Sequence, residues 1–358
     1  MACLLLAGMQ AAVAQSPGFR LETVADGFAN PWGLAFLPGG DYLVTERRGR
    51  LSRVHADGDR ICGVYGVPEV AAINQGGLLD VALHPAFADN GWVYLSYAVA
   101  GEGGYATRVA RGRLVDHTLE DLEVLITAAP FVEGGRHFGS RLLFHEGYLF
   151  VTTGDRGQKD NAQDLGKLHG KVLRLNPDGS IPADNPFVDD PGAHDAIYSY
   201  GHRNAQGIAV HPGTGRIWLH EHGPLGGDEI NVLEAGANYG WPETTYGRAY
   251  SGERFAPEPP VAGYVSPIHH WTPSIAPSGM TFYTGDVFPA WRGDLFVGAL
   301  RMTHLARLTL DGRKVVSEQR LLDDAGMRIR DVRQGPDGYL YLLVDAGKAP
   351  LLRLAPEN

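Results

Sequence analysis

The segment GLAFLPGGDYLVTER (residues 33–47) contains two short apolar runs separated by a turn rich in proline, glycine and aspartate. Apolar runs on either side of such a turn are typical of an antiparallel β-hairpin. The pattern recurs as GLLDVALHPAFADNGWVYLSYA (residues 77–98), SRLLFHEGYLFVTTGD (140–155), QGIAVHPGTGRIWLHEHG (206–223), SGMTFYTGDVFPAWRGDLFVGALR (278–301) and RDVRQGPDGYLYLLVDAG (330–347). The chain is therefore built from an internal repeat of one hairpin unit.

The spacing of the six hairpins predicts a β-propeller. The units begin about 45 to 75 residues apart, and several are followed by a further strand that ends in a turn, as in KVLRLNPDG (residues 171–179). A four-stranded propeller blade has this size. We expect an all-β fold, a six-bladed β-propeller with four-stranded antiparallel blades, as a single domain over residues 18–358. The alternative is an unrelated β-fold in which similar hairpins recur by coincidence.

The composition supports a folded all-β protein and excludes several classes. The 358 residues are 44% hydrophobic and include 48 glycines and 23 prolines, dispersed along the chain. This apolar content excludes a disordered chain, and the dispersed glycine excludes collagen. The net charge of −10 argues against a nucleic-acid-binding protein, which would need a basic face.

The first residues indicate export. Residues 4–13 are apolar, and the stretch ends in the small-residue site Ala12-Val13-Ala14, which is typical of a secretory signal peptide over residues 1–14. We therefore expect a periplasmic or secreted protein; the alternative is a frayed apolar N-terminus. No other run of about 18 apolar residues is present, so we expect no transmembrane helix.

Polar residues flank the hairpins on one side. A hairpin reverses the chain, so residues before its first strand and after its second strand emerge at the same end of the blade. The residues at these positions are Asn74, Gln75, Arg136, His137, His202, Arg203, Asn204, Arg328 and Arg330 before first strands, and Asp155, Glu221 to Pro224 and Arg301 after second strands. We expect them to converge on the mouth of the propeller channel, where ligands bind.

Two chemistries follow from this set. His137 and Asp155 bracket the third hairpin, so the carboxylate can orient the imidazole as a general base, although many histidines are merely structural. The arginines favour a polycarboxylate or phosphate ligand, because guanidinium groups match such oxygens. They could instead be surface charges paired with Asp331 or Asp345.

The end of the fourth hairpin is a candidate cation site. His220 and His222 could form a zinc pair, but no third histidine or cysteine ligand follows at a familiar spacing. Gly223 and Pro224 can offer carbonyl oxygens, and Asp228 and Glu229 follow closely, which suits calcium better. The alternative is a turn with solvated acids.

The ordered motifs resemble those of the soluble quinoprotein glucose and aldose sugar dehydrogenases, which use pyrroloquinoline quinone (PQQ). The resembling segments are NPWGLAFLP, NQGGLLDVALHPAF, HFGSRLLF, VTTGDRG, GKVLRLNPDGS, YGHRNAQGIA, EHGPLGGDEINVLEAGANYGWP, WTPSIAPSGM and RIRDVRQGPDG. They span nearly the whole chain, and the resemblance implies a six-bladed propeller, in agreement with the repeat count. The aldose sugar dehydrogenase branch is the more similar one.

The resemblance implies PQQ-dependent oxidation of an aldose at its anomeric carbon to the lactone, with hydride transfer to the quinone and an external electron acceptor. It implies that His137 takes the proton of the anomeric hydroxyl, that Asp155 orients it, and that Arg203 polarises the quinone carbonyl. The cofactor-binding residues implied are Gln75, His137, Arg203, Asn204, Arg301, Arg328 and Arg330. The calcium positions implied are Gly223 and Pro224 for a Ca²⁺ ion beside the cofactor, and Glu229 and Tyr239 for a structural Ca²⁺ ion.

Two features depart from the family pattern. Arg301 stands where much of the family has lysine, which keeps the charge and changes its reach. Residues 251–273 lack a clear counterpart of the aromatic sugar clamp of the glucose enzymes, so broad aldose tolerance is expected. A calcium-dependent propeller lactonase and a non-catalytic binding propeller remain alternatives, and either a monomer or a homodimer is compatible with the sequence.

Overall fold

Each repeated hairpin forms the two inner strands of a four-stranded antiparallel sheet, which confirms the six-bladed β-propeller. The computed structural model describes residues 18–58 and 61–357, so the predicted signal peptide lies outside the described residues. The first strands of neighbouring blades contact one another around a central axis. Short apolar runs between frequent turns leave no room for long helices. The described helical segments are α1 (Phe87–Asn90) and two 3₁₀ turns, Lys159–Ala162 and Pro289–Trp291.

The strands follow the chain in blade order, from the axis outward. After β1 (Phe19–Phe28), the first three blades are β2 (Pro31–Phe36), β3 (Tyr42–Glu46), β4 (Arg50–Val54), β5 (Ile61–Val64); β6 (Leu78–Leu83), β7 (Trp92–Gly101), β8 (Gly104–Val115), β9 (Thr118–Thr127); and β10 (Leu142–His145), β11 (Tyr148–Thr152), β12 (Lys171–Leu175), β13 (Ile197–Tyr200). The next three are β14 (Ala205–Val210), β15 (Ile217–Glu221), β16 (Asp228–Val232), β17 (His269–Trp271); β18 (Pro277–Phe282), β19 (Leu295–Ala299), β20 (Leu305–Asp311), β21 (Lys314–Leu321); and β22 (Ile329–Gln334), β23 (Leu340–Val344), β24 (Ala349–Pro356).

The N-terminal strand closes the ring. The sixth blade has only three strands from the C-terminal part of the chain, and β1 pairs with β24 as its fourth and outermost strand. The register runs from Phe19 opposite Pro356 to Phe28 opposite Ala349. The two ends of the described chain are thereby joined in one sheet.

The hydrophobic core lies between the blades. Each of six apolar clusters joins side chains of two neighbouring blades, because alternate strand residues point to opposite faces of a sheet. Trp218 of β15 packs edge-on against Phe282 of β18, with ring centroids 5.4 Å apart. Burying one such side chain contributes about 1.5–3 kcal/mol. Packing between blades therefore holds the ring together and fixes the loops at its ends.

Charged residues fill the axis of the propeller. Equivalent positions in the first strands, or directly before the strand in the case of Arg141 and β10, carry three glycines together with Asp80, Arg141 and Asp331. Arg141 Nη1 lies 3.3 Å from Asp80 Oδ1 and 3.0 Å from Asp331 Oδ1, and all three side chains are buried. A Cβ atom on Gly33 would lie 2.8 Å from Asp80 Oδ1, so glycine there makes room for the ion pairs. This network closes the channel below the candidate site.

Candidate functional site

The predicted residues converge at one end of the propeller, around two adjoining spaces. A cleft of about 370 Å³ is lined by Arg136, His137, Asp155, Gly157, Lys159, Arg203, Pro224, Trp241, Ala249, Tyr250 and Phe255. A cavity of about 360 Å³ is lined by Trp32, Arg47, Asn74, Gln75, Leu79, Phe138, Gly139, Asn204, Gln206, His222, Ala276, Leu300, Arg328, Arg330 and Asp345. Both volumes lie within the range of small-molecule sites, roughly 300–1,000 Å³.

His137 and Asp155 form the predicted pair. His137 Nδ1 lies 2.6 Å from Asp155 Oδ1. The backbone of His137 is left-handed, with φ of 56°, and its N–H donates to Gln75 Oε1 at 2.8 Å. A left-handed conformation is costly for a residue other than glycine and is often found at functional sites. The loop between β9 and β10 is thereby held with the imidazole against Asp155.

Three donors surround the Asp155 carboxylate. Besides His137, the Gly157 N–H donates to Oδ1 at 2.7 Å and Trp241 Nε1 donates to Oδ2 at 2.9 Å. Burial raises the pKa of Asp155, but the hydrogen bonds from His137 and Gly157 and the charges of His137 and Arg203 outweigh it and hold the pKa below 3.8. The carboxylate therefore stays ionised and can only accept hydrogen bonds.

The ionised carboxylate fixes the state of His137. Because Asp155 accepts from Nδ1, the neutral imidazole carries its hydrogen there and leaves Nε2 free as an acceptor. Burial lowers the pKa of His137 below 6.5, Asp155 opposes this, and the positive charges of Arg203 and Arg136 add to it. Only 9% of the residue is exposed. At neutral pH the site holds an uncharged base aimed away from its carboxylate.

Arg203 brings a fixed positive charge to the same cleft. Its Nη1 donates to the carbonyls of His222 at 3.1 Å and Gly223 at 2.9 Å. Its guanidinium lies 5.3 Å from the ring centre of Trp241, within the range of a cation–π contact. Its buried Nε has no hydrogen-bond partner in the described part of the chain. The protein therefore fixes the orientation of the Arg203 guanidinium, and its Nε–H remains available to donate a hydrogen bond.

The adjoining cavity is cationic. Arg330 is 8% exposed, donates from Nη1 to Gln206 Oε1 at 3.0 Å, and its Nε lacks a partner among the described residues. Arg328 donates to Asp345 Oδ2 at 3.0 Å and to the Leu300 carbonyl at 2.9 Å. Arg47 also lines this space. Three guanidiniums face one lining carboxylate, so the cavity suits an anion.

The cavity contains four of the predicted cofactor-binding residues, Gln75, Asn204, Arg328 and Arg330. Asn204 Oδ1 accepts from the Gly139 N–H at 3.1 Å, which ties together the loops that precede β10 and β14 in the third and fourth blades. Of the other three predicted cofactor-binding residues, His137 and Arg203 line the cleft, whereas Arg301 lines neither space and its side chain is exposed. Asp345 pairs with Arg328, as the alternative of paired surface charges predicted, whereas Asp331 pairs with Arg141 and Arg333.

The candidate calcium positions lie beside Arg203. The Gly223 N–H donates to Asp228 Oδ1 at 2.9 Å, and Pro224 lines the cleft. Glu229 and Tyr239 line one small adjoining cavity, in which the negative charges of Glu221 and Asp228 add to burial and raise the pKa of Glu229 well above its ordinary value. No group of three or more histidine, cysteine or acidic side chains suited to a metal occurs among the described residues.

Further lining residues were not singled out as site residues from the sequence. Arg47 follows the second strand of the first hairpin, so the rule that located Asp155 could also have located it. Trp241 stands in the motif NYGWP, but nothing in the sequence shows its bond to Asp155. Tyr250 and Phe255 supply aromatic surface to the cleft, Phe255 from the segment in which no sugar clamp was recognised.

Fold and site together define a class: a six-bladed propeller that places a buried histidine–aspartate pair and an arginine beside a cationic cavity. The chain belongs to the Glucose / Sorbosone dehydrogenase family, whose model matches residues 28–353. It is 46% identical to the aldose sugar dehydrogenase YliI of Escherichia coli (strain K12) over 95% of this chain and 93% of that protein.

Solved structures agree with this assignment. The apo-form of the soluble aldose sugar dehydrogenase from Escherichia coli matches with a TM-score of 0.92 and 45% identity, over 95% of this chain and 100% of that one. The PQQ-bound aldose sugar dehydrogenase from Streptomyces coelicolor matches with a TM-score of 0.78 and 31% identity, over 96% and 100% of the two chains. The fold and the family resemblance inferred from the sequence are both confirmed.

Proposed function

We propose that this chain is a PQQ-dependent aldose dehydrogenase, which oxidises the anomeric carbon of a sugar to the lactone and passes electrons to an external acceptor. The observation that carries the proposal is the His137–Asp155 pair, 2.6 Å between Nδ1 and Oδ1, beside a cavity lined by Arg47, Arg328 and Arg330. It is supported by the relatives described above, which are aldose sugar dehydrogenases, and by the PQQ bound in one of them.

The cavity residues fit this cofactor. PQQ is a planar tricarboxylic acid, and arginine forks match carboxylate oxygens. The unpaired Nε of Arg330 is a donor still in need of an acceptor, and Gln75 and Asn204 offer amide groups nearby. When bound, the quinone supplies the redox chemistry by accepting a hydride from the sugar. Arg301, by its exposed position, would contact such a ligand only after its side chain moved.

The protein's own residues would activate the sugar. His137 Nε2 would take the proton of the anomeric hydroxyl, and Asp155 would stabilise the imidazolium that results. Arg203 would place its fixed charge where negative charge develops. Trp241 would hold Asp155 in position and, with Phe255, would exclude water from one side of the cleft. Each task is assigned to a side chain already held in place by hydrogen bonds or packing.

We also propose calcium at the predicted positions. Gly223 and Pro224 would offer carbonyl oxygens near the cofactor, although the Gly223 carbonyl already accepts one bond from Arg203. Glu229 lies close to two other buried acids, a repulsion that a divalent cation would relieve. The hydroxyl of Tyr239 already donates to the Val232 carbonyl and accepts from the Glu234 N–H, so its main chain is the better candidate ligand.

Location and assembly remain proposals as well. The residues preceding the propeller favour export to the periplasm or beyond, with aldoses as substrates and either a monomer or a homodimer as the active form. Within residues 18–58 and 61–357, no helix is long and apolar enough to cross a membrane. A lactonase acting on a neutral lactone would leave the arginines of the cavity without a task, and a non-catalytic binding propeller would leave the His137–Asp155 pair without one, so the dehydrogenase accounts for more of the site.

The test pairs activity with cofactor binding. His137→Ala should abolish dye reduction in the presence of PQQ and calcium while leaving the PQQ titration largely unchanged. Arg328→Ala should weaken the PQQ titration, because it removes one cationic donor from the cavity. Normal turnover in the first variant, or an unchanged titration in the second, would contradict the assigned roles.

A further inference from the structure

The cleft above His137 has two cationic side chains at its rim. Arg136 and Lys159 line it together with the aromatic residues Tyr250 and Phe255. Both cationic side chains are exposed, whereas only 9% of His137 is. The cleft therefore holds the Asp155 carboxylate and the Arg203 cation beside His137 at its buried end, and two further positive charges where it meets solvent.

These two charges have no carboxylate partner in the described chain. Neither side chain forms an ion pair there, whereas Arg328 and Arg330 of the adjoining cavity both pair with Asp345. Lys159 Nζ instead lies 5.6 Å from the ring centre of Phe255. Asp155 is the carboxylate that lines the cleft, and its oxygens are already occupied by three donors. The rim of the cleft is therefore locally positive, although the protein as a whole has a net charge of −10.

The reaction geometry sets which part of a substrate meets these charges. The reacting C1 carbon must lie near His137 Nε2, at the bottom of the cleft. The remote carbons of the sugar then extend toward the rim, where Arg136 packs against Gly157 and Lys159 covers Phe255. A group attached to a remote carbon is the part of the substrate within reach of the two cations.

We propose that the cleft selects aldoses that carry an anionic group on a carbon remote from C1, either a uronic acid or a sugar phosphate, and that Lys159 and Arg136 confer this preference. The inference rests on the proposed function and narrows its substrate class. The reaction is unchanged: C1 loses a hydride to the bound quinone and its hydroxyl loses a proton to His137, which yields the lactone of the anionic sugar.

The experiment measures specificity on the PQQ-loaded enzyme. Values of kcat/KM are determined by dye reduction for glucose, glucuronate and glucose 6-phosphate, in the wild type and in Lys159→Met and Arg136→Met, which keep much of the apolar stem. Lys314→Met, on the outermost strand β21, is the matched control. The two anionic sugars separate a carboxylate preference from a phosphate preference.

We expect the ratio of kcat/KM for an anionic sugar to that for glucose to exceed one in the wild type. Each rim variant should lower the ratio by about 1.4- to 5-fold, the range of an exposed ion pair, and the control should leave it unchanged. Rising ionic strength should also lower it, because salt screens exposed charges. A ratio below one that the rim variants leave unaltered would overturn the inference.

A binding measurement separates this inference from the proposed function. Calorimetric titration of the protein loaded with reduced PQQ, which cannot accept a hydride, should show tighter binding of glucuronate than of glucose, with the difference reduced in Lys159→Met. If glucose is oxidised and the anion is not favoured, only the substrate preference is wrong. If PQQ binds and no aldose is oxidised, the proposed function is wrong, and equal binding of both sugars would refute the preference as well.

Discussion

Replacing Asp155 by asparagine tests whether the carboxylate prepares His137 to act as a base. The substitution keeps the shape of the side chain and removes its charge. In the wild type all three neighbours of the carboxylate donate: the His137 imidazole, the Gly157 N–H and the Trp241 indole. An asparagine brings its own N–H₂ group into this ring of donors, so one donor must lose its acceptor or the imidazole must change tautomer.

Of these two outcomes, the change of tautomer should have the larger effect on the catalytic rate. If the asparagine amide donates to His137 Nδ1, the imidazole hydrogen moves to Nε2, and the base is lost. Loss of general base catalysis typically costs about 100- to 10,000-fold in rate. We expect kcat of Asp155→Asn to fall within that range. The PQQ titration should change little, because Asp155 does not line the cofactor cavity.

The pH profile gives a second and independent readout. Burial, with Arg203 and Arg136, lowers the pKa of His137 below 6.5, and Asp155 partly offsets this. The base is active when unprotonated, so kcat/KM should fall as the pH drops through this lowered pKa. Without the carboxylate the pKa falls further, and the acid limb of Asp155→Asn should move to lower pH.

The assay is dye reduction with PQQ and calcium across the pH range, beside Asp294→Asn as control. Asp294 is a buried carboxylate paired with Arg307 in the fifth blade, so this control should lose thermal stability and retain its kcat. Wild-type kcat in Asp155→Asn, or an acid limb displaced to higher pH, would refute the orienting role of Asp155.

Two further changes test the axis and the cavity. Gly279→Ala would place a Cβ atom against Asp331 Oδ1 on the axis, and such overpacking should lower the free energy of unfolding by about 1–3 kcal/mol. Denaturant unfolding measures this loss of stability. The control is Gly63→Ala on β5, where an added Cβ atom would meet no other atom within 4 Å, so little change in stability is expected. Equal losses of stability in the two variants would contradict the overpacking at the axis. Arg330→Leu should raise the Kd for PQQ about 10- to 150-fold, the loss of a charged hydrogen bond. Arg320→Leu on the exposed outer strand is the control, and the same Kd in both variants would refute the assignment.

The fold was predictable because the repeat is carried by local signals. Turn residues between apolar runs mark each hairpin, and six hairpins at blade spacing specify the propeller. What the sequence did not reveal is how the ring closes, because the pairing of Phe19 with Pro356 joins residues at opposite ends of the chain. A local sequence pattern does not indicate which distant strands pair with each other.

The site was predictable to the extent that a hairpin fixes where its flanking residues emerge. His137 and Asp155 meet because one hairpin brackets them both. The bond from Trp241 to Asp155 was not predictable, since it joins residues of different blades through a long loop. Arg301 shows where this reasoning fails. The hairpin brings the residue to the same end of the propeller as the cavity, but it does not determine whether the side chain points into the cavity.

The central claim is that the cationic cavity holds a quinone on which this propeller depends for sugar oxidation. Its most direct test is dye reduction by purified apo-protein with an aldose panel, with and without added PQQ, in the presence of calcium. If the cavity holds the quinone, the apo-protein should be inactive without PQQ and should turn over once PQQ is added. The His137→Ala variant should be inactive in both conditions. Equal activity in the absence of PQQ, or silence toward every aldose when PQQ is bound, would contradict it.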